Sequence, residues 1–504
     1  MSFAPCCQRA SLPLAVLVLG SALGVWPAAG AAQSNPRAPN KPAMRFWTDA
    51  TGKYRAKATL EAVEDGKVKL RKEDGTIVEV PIEKLSALDR RWLDRVTKPR
   101  PAGSATEETP TGRPTHGAKP AVSAGEWPGF RGPNRDGKSP DRGLLKQWPE
   151  GGPKMLWKAT DIGEGWSSVS VADGTVYITG EKNGKLILLA LDMDGQPRWQ
   201  ADCGPAWTSS YPGSRATPTI DGNRIYLLSG VGILSCLDTN GGRLVWAREA
   251  KQFGGSPGVW GYAESVLILG NLAIFKPGGR NCVVALDKAT GRDVWASRGI
   301  EAGPEYSSCL AFVHGKTTLL TTGTNKGIVC LNPANGALLW ANRFSADNTA
   351  NCPTPVYADG HVFWANGYGR GGICLKLAAD GSATEAWTTR DMVCHHGGYI
   401  VHEGHIYGNN GNGWACLELT IGTTKWKERG VGKGSLCWAD DMLYLFSEND
   451  GEAALATCSP DGLEITGRLK VDGEGPSWAH PVVIGGRLYL RYHTNLYCFD
   501  VKAG

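Results

Sequence analysis

One spacing constrains this chain more than any other feature. Asp238 precedes Trp246 by eight positions, and Asp287–Trp295, Asn332–Trp340 and Glu418–Trp426 repeat it. Asp192–Trp199 is one residue shorter, and Leu377–Trp387 carries a longer turn. Each unit reads as an apolar strand, an acidic or amide residue, a Gly turn and a second strand ending in Trp. An Asp or Asn at a strand end bonds to the backbone two residues on and starts a turn, which Gly closes with a positive φ. The indole that follows is too large to be buried within one thin sheet and must be covered by a neighbour. Each unit therefore requires the next, which predicts a repeat array of sheets.

The array can be counted. Inner hairpin turns are expected near Asp173-Gly174, Asp221-Gly222, Gly270-Asn271, His314-Gly315, Asp359-Gly360, Glu403-Gly404, Asp440-Asp441 and Gly485-Gly486. That spacing suits four short strands per unit. The last unit ends at Tyr497-Cys498-Phe499-Asp500 without an outer strand, whereas Lys154 to Lys158 has no hairpin of its own. The N-terminal strand is thus expected to complete the last unit and lock a ring. Docking indoles are assigned to Trp157, Trp199, Trp246, Trp295, Trp340, Trp387 and Trp426. The seventh unit lacks one between Glu464 and Leu469, which predicts a looser seam there. Cys236, Cys330, Cys374, Cys416 and Cys498 fill the slot held by Ala190 and Ala285 in sister units. They read as small buried residues, and equivalent positions about 10 Å apart are too distant for disulfides.

This spacing of Ala/Cys-Leu-Asp, Gly and Trp resembles the tryptophan-docking repeat of PQQ-type β-propellers, over roughly residues 150 to 502. The family includes quinoprotein alcohol dehydrogenases and outer-membrane protein assembly factor B. The resemblance implies an all-β fold: an eight-bladed β-propeller, assigned to residues 127–502, with its N-terminal strand closing the last blade. Propellers host many activities, so fold alone does not fix function.

Upstream, residues 1–31 read as a signal peptide, with Arg9 in the positive region, an apolar run from Leu12 to Trp26 and a small-residue cleavage site at Ala29-Gly30-Ala31. An uncleaved anchor is the competing reading; no lipobox cysteine follows. A periplasmic or secreted protein without stable membrane insertion is expected. Residues 44–97 form a compact unit: alternation around Tyr54, Ala56, Ala58 and Leu60 gives a strand, Val68 and Leu70 a second, Ile77 to Val80 a third, and Ser86 caps a short helix carrying Trp92 and Leu93. The run Arg45 to Lys53 with Pro81, Leu85-Ser86 and Asp89 resembles an SLA homology domain of the first type, which implies a small SH3-like β-barrel and peptide or partner binding. Residues 98–125, rich in Pro, Thr, Ala and Gly, read as a disordered linker. The segment Trp127 to Gly137 is either a strap closing one end of the propeller or an anion nest around Arg131 and Arg135. A net charge of +5 on 504 residues, with much of the basic excess before the repeats, gives no nucleic-acid footprint.

In a propeller the residues just before each innermost strand form one mouth of the axial channel. These segments supply Trp166, Arg215, Tyr306, His395, His396, Trp478 and His480 as binding candidates: aromatic rings for stacking, Arg for an anionic group, His as donors. They contain no Asp or Glu. Four of the nine histidines (His395, His396, His402 and His405) fall within a short stretch, but on a strand His395 and His396 point to opposite faces unless Gly397-Gly398 bulges, so no metal site is assigned. The dehydrogenases of this family use a vicinal disulfide, a calcium held by acidic and amide groups and a catalytic Asp. The only adjacent cysteines here are Cys6 and Cys7, and no Cys-x-x-Cys-His haem site exists. The sequence thus favours a monomeric binding scaffold for an envelope protein or a saccharide, with no cofactor and no catalytic residue. A PQQ- and calcium-dependent oxidoreductase is the alternative.

Overall fold

The computed structural model describes residues 45–49, 55–86, 89–90, 93, 125–346 and 350–504. The signal peptide and nearly all of the proposed linker, with Tyr54 and Trp92, lie outside the described residues. The chain divides into two compact units, Met1–Thr111 and Gly112–Gly504.

In the first unit, Arg45–Thr48, Arg55–Glu64, Lys67–Lys72 and Ile77–Pro81 form one antiparallel four-stranded sheet in chain order. Trp47, Ala58, Leu60, Val68, Leu70, Leu85 and Leu93 make its core. The Trp47 indole donates to the Ala58 carbonyl at 3.1 Å. The Ser86 hydroxyl accepts from the Asp89 amide at 3.2 Å, the cap its position suggested.

The second unit contains eight antiparallel four-stranded sheets. Seven run in simple chain order, and all eight begin with a two-residue hairpin at the expected turn. In the eighth, Met155–Ala159 pairs with Asn495–Asp500, bringing Trp157 opposite Cys498. The small-residue slot has a clear cause. Ala190, Cys236, Ala285, Cys330, Cys374, Cys416 and Cys498 each lie directly across from a docking Trp, where a larger side chain would compete for the same space. All twelve described cysteines are free thiols.

The indoles explain the turn glycines. Trp246 donates to the Lys288 carbonyl at 3.1 Å and Trp387 to the Leu419 carbonyl at 3.0 Å, both in the next sheet. Gly291 and Gly422 lie beneath those rings with φ of +71° and +75°, and a Cβ on either would strike the indole. The same Trp-to-next-turn bond recurs from Trp157, Trp295, Trp340 and Trp426.

The seventh sheet corrects the expectation of a loose seam. Trp148, from the segment before the repeats, is 4% exposed, sits over Gly467 and lies 6.0 Å from Tyr444 between ring centroids. The docking pairs Tyr177–Trp199, Tyr226–Trp246 and Trp157–Tyr489 have separations of 6.0, 6.1 and 6.0 Å. Trp148 therefore supplies the missing indole from outside the repeat.

First strands adjoin first strands, so each sheet turns its short inner edge to a shared centre. A belt of hydroxyls links them. The Ser168 amide donates to Thr217 Oγ1, Thr217 to Ser265 Oγ and Ser265 to Ser308 Oγ, each at 3.0 Å, and Ser308 to Thr354 Oγ1 at 3.2 Å. The His480 amide closes back onto Ser168 Oγ at 3.0 Å. Arg491 secures the same seam, donating to Ser167 Oγ and to the Thr179 and Gly163 carbonyls. Residues 127–148 cross one face of this array. Trp127 bridges Val171, Pro128 accepts from Ile220, Arg135 donates to Ser265 and Val266, Arg131 to Tyr399, Ser139 to Trp438 and Leu145 to Val501. The two arginine side chains are buried against carbonyl oxygens, which is the behaviour of a strap and not of an anion nest.

Candidate functional site

The belt lapses at the sixth sheet. In the slot that holds Ser or Thr in six sister sheets and His480 in the eighth, the chain has Gly398, preceded by Gly397. A Cβ on Gly397 would strike the Gly434 carbonyl, and one on Gly398 would meet the Arg131 guanidinium and His480. Gly398 adopts φ +68°, a conformation that costs other residues energy. The preceding segment, 391–398, is irregular, and the regular strand starts at Tyr399. The period-two rule does not apply to it, so His395 and His396 share one wall, with ring centroids 3.7 Å apart.

All seven candidate residues, Trp166, Arg215, Tyr306, His395, His396, Trp478 and His480, line a single cavity of about 220 Å³. Its aromatic wall is continuous on one side. Trp166 and Trp478 have centroids 4.8 Å apart, Trp478 and His396 4.5 Å, and Tyr368 and His395 4.9 Å. Trp260 and Tyr306 face each other at 5.8 Å across the other side. Phe130 of the strap meets His480 edge-on at 5.1 Å and forms part of the lining. Tyr211 and Tyr368, 53% and 49% exposed, stand at the rim with φ of +47° and +55°. Left-handed backbone at an aromatic residue is uncommon and accompanies functional surfaces more often than plain loops.

Phe130, Tyr211, Tyr368, Trp260 and Cys352 were not singled out as site residues by sequence. Cys352 stands two residues before Thr354, the same register as Trp166, Arg215, Tyr306, His396 and Trp478 in their sheets, a signal that was available. Tyr211 and Tyr368 come from loops with no repeat counterpart. His402 and His405 lie apart: His402 packs on Trp438 and contacts Lys138, and His405 bonds the Glu403 carbonyl.

Two electrostatic expectations change. Arg215 is not a free anion receptor. Its guanidinium donates to the Trp260, Gly213, Ser210 and Tyr211 carbonyls at 2.7–2.8 Å, and it lies over the Trp166 ring at 5.3 Å. It holds the Tyr211 loop in place. Acids are absent from the lining but stand directly behind it. Glu448 pairs with Lys433 at 3.0 Å and approaches His396 Nδ1 at 3.9 Å. Although desolvation opposes ionisation, His396 and Lys433 bring its carboxyl down to about 2. Glu305 accepts from the Asn351 amide and side chain, and burial raises its carboxyl. Burial also brings His395 down to about 3, with His396 and Lys433 adding to the effect, and His480 down to about 3 with Arg131 adding. Both imidazoles are neutral at physiological pH.

These residues do not fit the calcium of the dehydrogenases. Calcium requires six to eight oxygen ligands, whereas the lining offers none from a carboxylate and both nearby acids are already engaged. A hydrolase nucleophile is no better supported. The sequence was expected to lack a Gly-x-Ser-x-Gly motif, but Gly254-Gly255-Ser256-Pro257-Gly258 carries that spacing. It follows the short turn Ala250–Phe253 and not a strand-to-helix elbow, and Ser256 is exposed.

The second unit is thus a repeat propeller with an aromatic central cavity, a class that the comparisons specify further. Residues 185–428 match the family described as outer membrane protein assembly factor BamB, and residues 35–100 match SLA1 homology domain 1. The chain combines a PQQ-like propeller with an N-terminal SLA1 homology domain 1. It is 24% identical over 214 residues to outer membrane protein assembly factor BamB of Kangiella koreensis, 40% of this chain and 49% of that protein. It is 37% identical over 71 residues to the actin cytoskeleton-regulatory complex protein SLA1 of Mycosarcoma maydis, 14% of this chain and 6% of that protein. The chain thus spans about half the length of the first relative and a small fraction of the second. Among solved structures, BamB from Moraxella catarrhalis aligns at TM-score 0.51 and 15% identity, over 69% of this chain and 99% of that one. Quinohemoprotein alcohol dehydrogenase from Comamonas testosteroni aligns at 0.54 and 13%, over 75% and 81%. These structural likenesses concern the fold. Among the described residues no helix is long and apolar enough to cross a membrane.

Proposed function

We propose that this chain is an exported, non-catalytic binding protein of the cell envelope. In this reading the eight sheets are the blades of one closed ring, locked by Met155–Ala159, and residues 44–97 form an SH3-like adaptor module tethered through residues 98–125. The ligand enters the central cavity, as an extended saccharide or a protruding segment of an envelope protein. The observation that carries the proposal is the continuous aromatic wall of Trp166, Trp478, His396 and His395. Stacked rings with few directional polar groups suit a ligand with flat apolar faces and polar edges. Polar edges have partners available: Trp478 Nε1, His395 Nε2 and His480 Nδ1 have no hydrogen-bond partner within the protein. A relative named as an assembly factor for outer membrane proteins supports the protein-partner version. The dehydrogenase reading draws on the fold of the quinohemoprotein alcohol dehydrogenase alone and lacks acidic ligands for calcium in the cavity lining.

The test is a calorimetric titration with an oligosaccharide panel, peptides from envelope proteins, and pyrroloquinoline quinone with calcium. Binding by a saccharide or peptide that falls about tenfold or more in Trp478→Ala supports the proposal, since one stacked ring contributes roughly 0.5–1.5 kcal/mol beyond its buried area. Stoichiometric quinone binding, or ligand binding indifferent to both Trp478→Ala and His395→Ala, contradicts it.

A further inference from the structure

We propose that Cys352, His395 and His396 form a binding site for a single copper(I) ion in the cavity wall. One ligand atom from each lies within 4.8 Å of the others. Ligands about 2.0–2.3 Å from a common ion stand roughly 3.5–4 Å apart, so side-chain adjustment of about 1 Å or less gathers them. The irregular backbone that puts both imidazoles on one wall makes the cluster possible. A second observation points the same way. His395 Nε2 is a buried nitrogen with no hydrogen-bond partner in the protein, an arrangement that costs free energy unless something binds there, and His396 Nδ1 has only the Glu448 carboxylate at 3.9 Å.

The donor set selects the ion. One thiolate and two imidazoles are soft to borderline ligands, which excludes calcium and magnesium and leaves copper and zinc. Charge balance then separates those two. Lys433 Nζ stands 3.1 Å from His395 Nδ1, and its charge is matched by Glu448 at 3.0 Å. A single thiolate with copper(I) makes a neutral complex. With zinc(II) the complex keeps a positive charge beside an ammonium in a desolvated wall, which is costly. Copper(I) also accepts three ligands, whereas zinc takes a fourth. A free thiol is mostly protonated at neutral pH. Binding is then an exchange: copper(I) forms the sulfur bond, the thiol proton leaves to solvent, and no oxidation state changes. The His395 ring proton moves from Nε2 to Nδ1 as Lys433 turns wholly onto Glu448. Because the ion takes His395 Nε2, a saccharide or peptide in the same cavity is left Trp478 Nε1 and His480 Nδ1 as polar partners.

The experiment is an anaerobic competition of the full-length protein against a chromophoric copper(I) chelator, with pH-stat recording of proton release and a parallel zinc(II) titration. One copper per chain with one proton released is expected. Cys352→Ser should weaken it about 100-fold and His396→Gln at least 10-fold, scales typical of disturbed metal sites, with circular dichroism confirming that both variants fold. Lys433→Met should bind more tightly, by removing the competing cation. The other cysteines remain in Cys352→Ser, so retention of the tight site in that variant would overturn the assignment. Zinc binding in preference to copper(I), or no stoichiometric copper above the chelator, would also overturn it.

Discussion

The inner edges of the eight sheets are built differently in two regions. From the eighth sheet through the fifth, neighbouring inner edges are linked by Ser168, Thr217, Ser265, Ser308 and Thr354, each hydroxyl satisfying the amide of the sheet before it. At the sixth sheet the glycine pair breaks the series, the backbones of two sheets approach closely, and His395 and His396 turn into the cavity beside Cys352. The first region invests its centre in stability. The second leaves His395 Nε2 unpaired and brings two imidazoles to the cavity, to which the belted sheets add Trp166, Arg215, Trp260, Tyr306 and Cys352.

The comparison can be broken at several points. Its largest expected effect concerns the outer seams. If Trp148 replaces the missing repeat indole, Trp148→Ala should cost as much as Trp246→Ala in the belted half, roughly 3–5 kcal/mol each by denaturant unfolding. A negligible cost for Trp148 would restore the loose seam.

Glu264 lies within the belted half, beside Ser265. It accepts from the Lys276 amide, keeps Oε2 unpaired, and burial raises its carboxyl to about 7, with Lys276 opposing the shift. A raised native pKa means the folded state holds the proton more tightly than the unfolded chain. The group therefore costs nothing below its unfolded value near 4.5; the penalty grows as pH rises towards 7 and is constant above. Glu264→Gln should stabilise the protein by on the order of 2 kcal/mol at pH 8 and leave it unchanged at pH 4, as read from unfolding curves at both. Equal effects at the two values would remove this group as the cause.

Smaller still is the contribution of a single belt link. Thr217→Val should cost about 1 kcal/mol, the net value of one buried hydrogen bond. Gly398→Ala, in the other half, should cost about as much through backbone strain alone, but it should also disturb the cavity by pressing on Arg131 and His480. Thr217→Val should leave ligand affinity unchanged; a reversal of that pattern would invalidate the division.

The repeat was readable from sequence because Trp, turn Gly and the small residue opposite are bound together by steric need, as Trp246, Gly291 and Cys236 illustrate. The segments before the inner strands also supplied Trp166, Arg215, Tyr306, His395, His396, Trp478 and His480, which line one cavity. What escaped came from outside the period. Trp148 belongs to the strap. Glu448 ends a hairpin strand and reaches His396 only once two sheets are packed together. Arg215 looked like an anion receptor because its carbonyl partners are backbone, which no residue pattern reveals. The facing of His395 and His396 depended on whether Gly397-Gly398 would bulge, a choice settled by the close approach of Gly434.

The most direct test of the account is a ¹⁹F NMR titration of protein labelled with 5-fluorotryptophan, using the tightest-binding member of the oligosaccharide or peptide panel. The account predicts that the resonances of Trp166, Trp260 and Trp478 shift together while those of the docking residues Trp246, Trp340 and Trp387 stay fixed. Shifts confined to the docking set would contradict it.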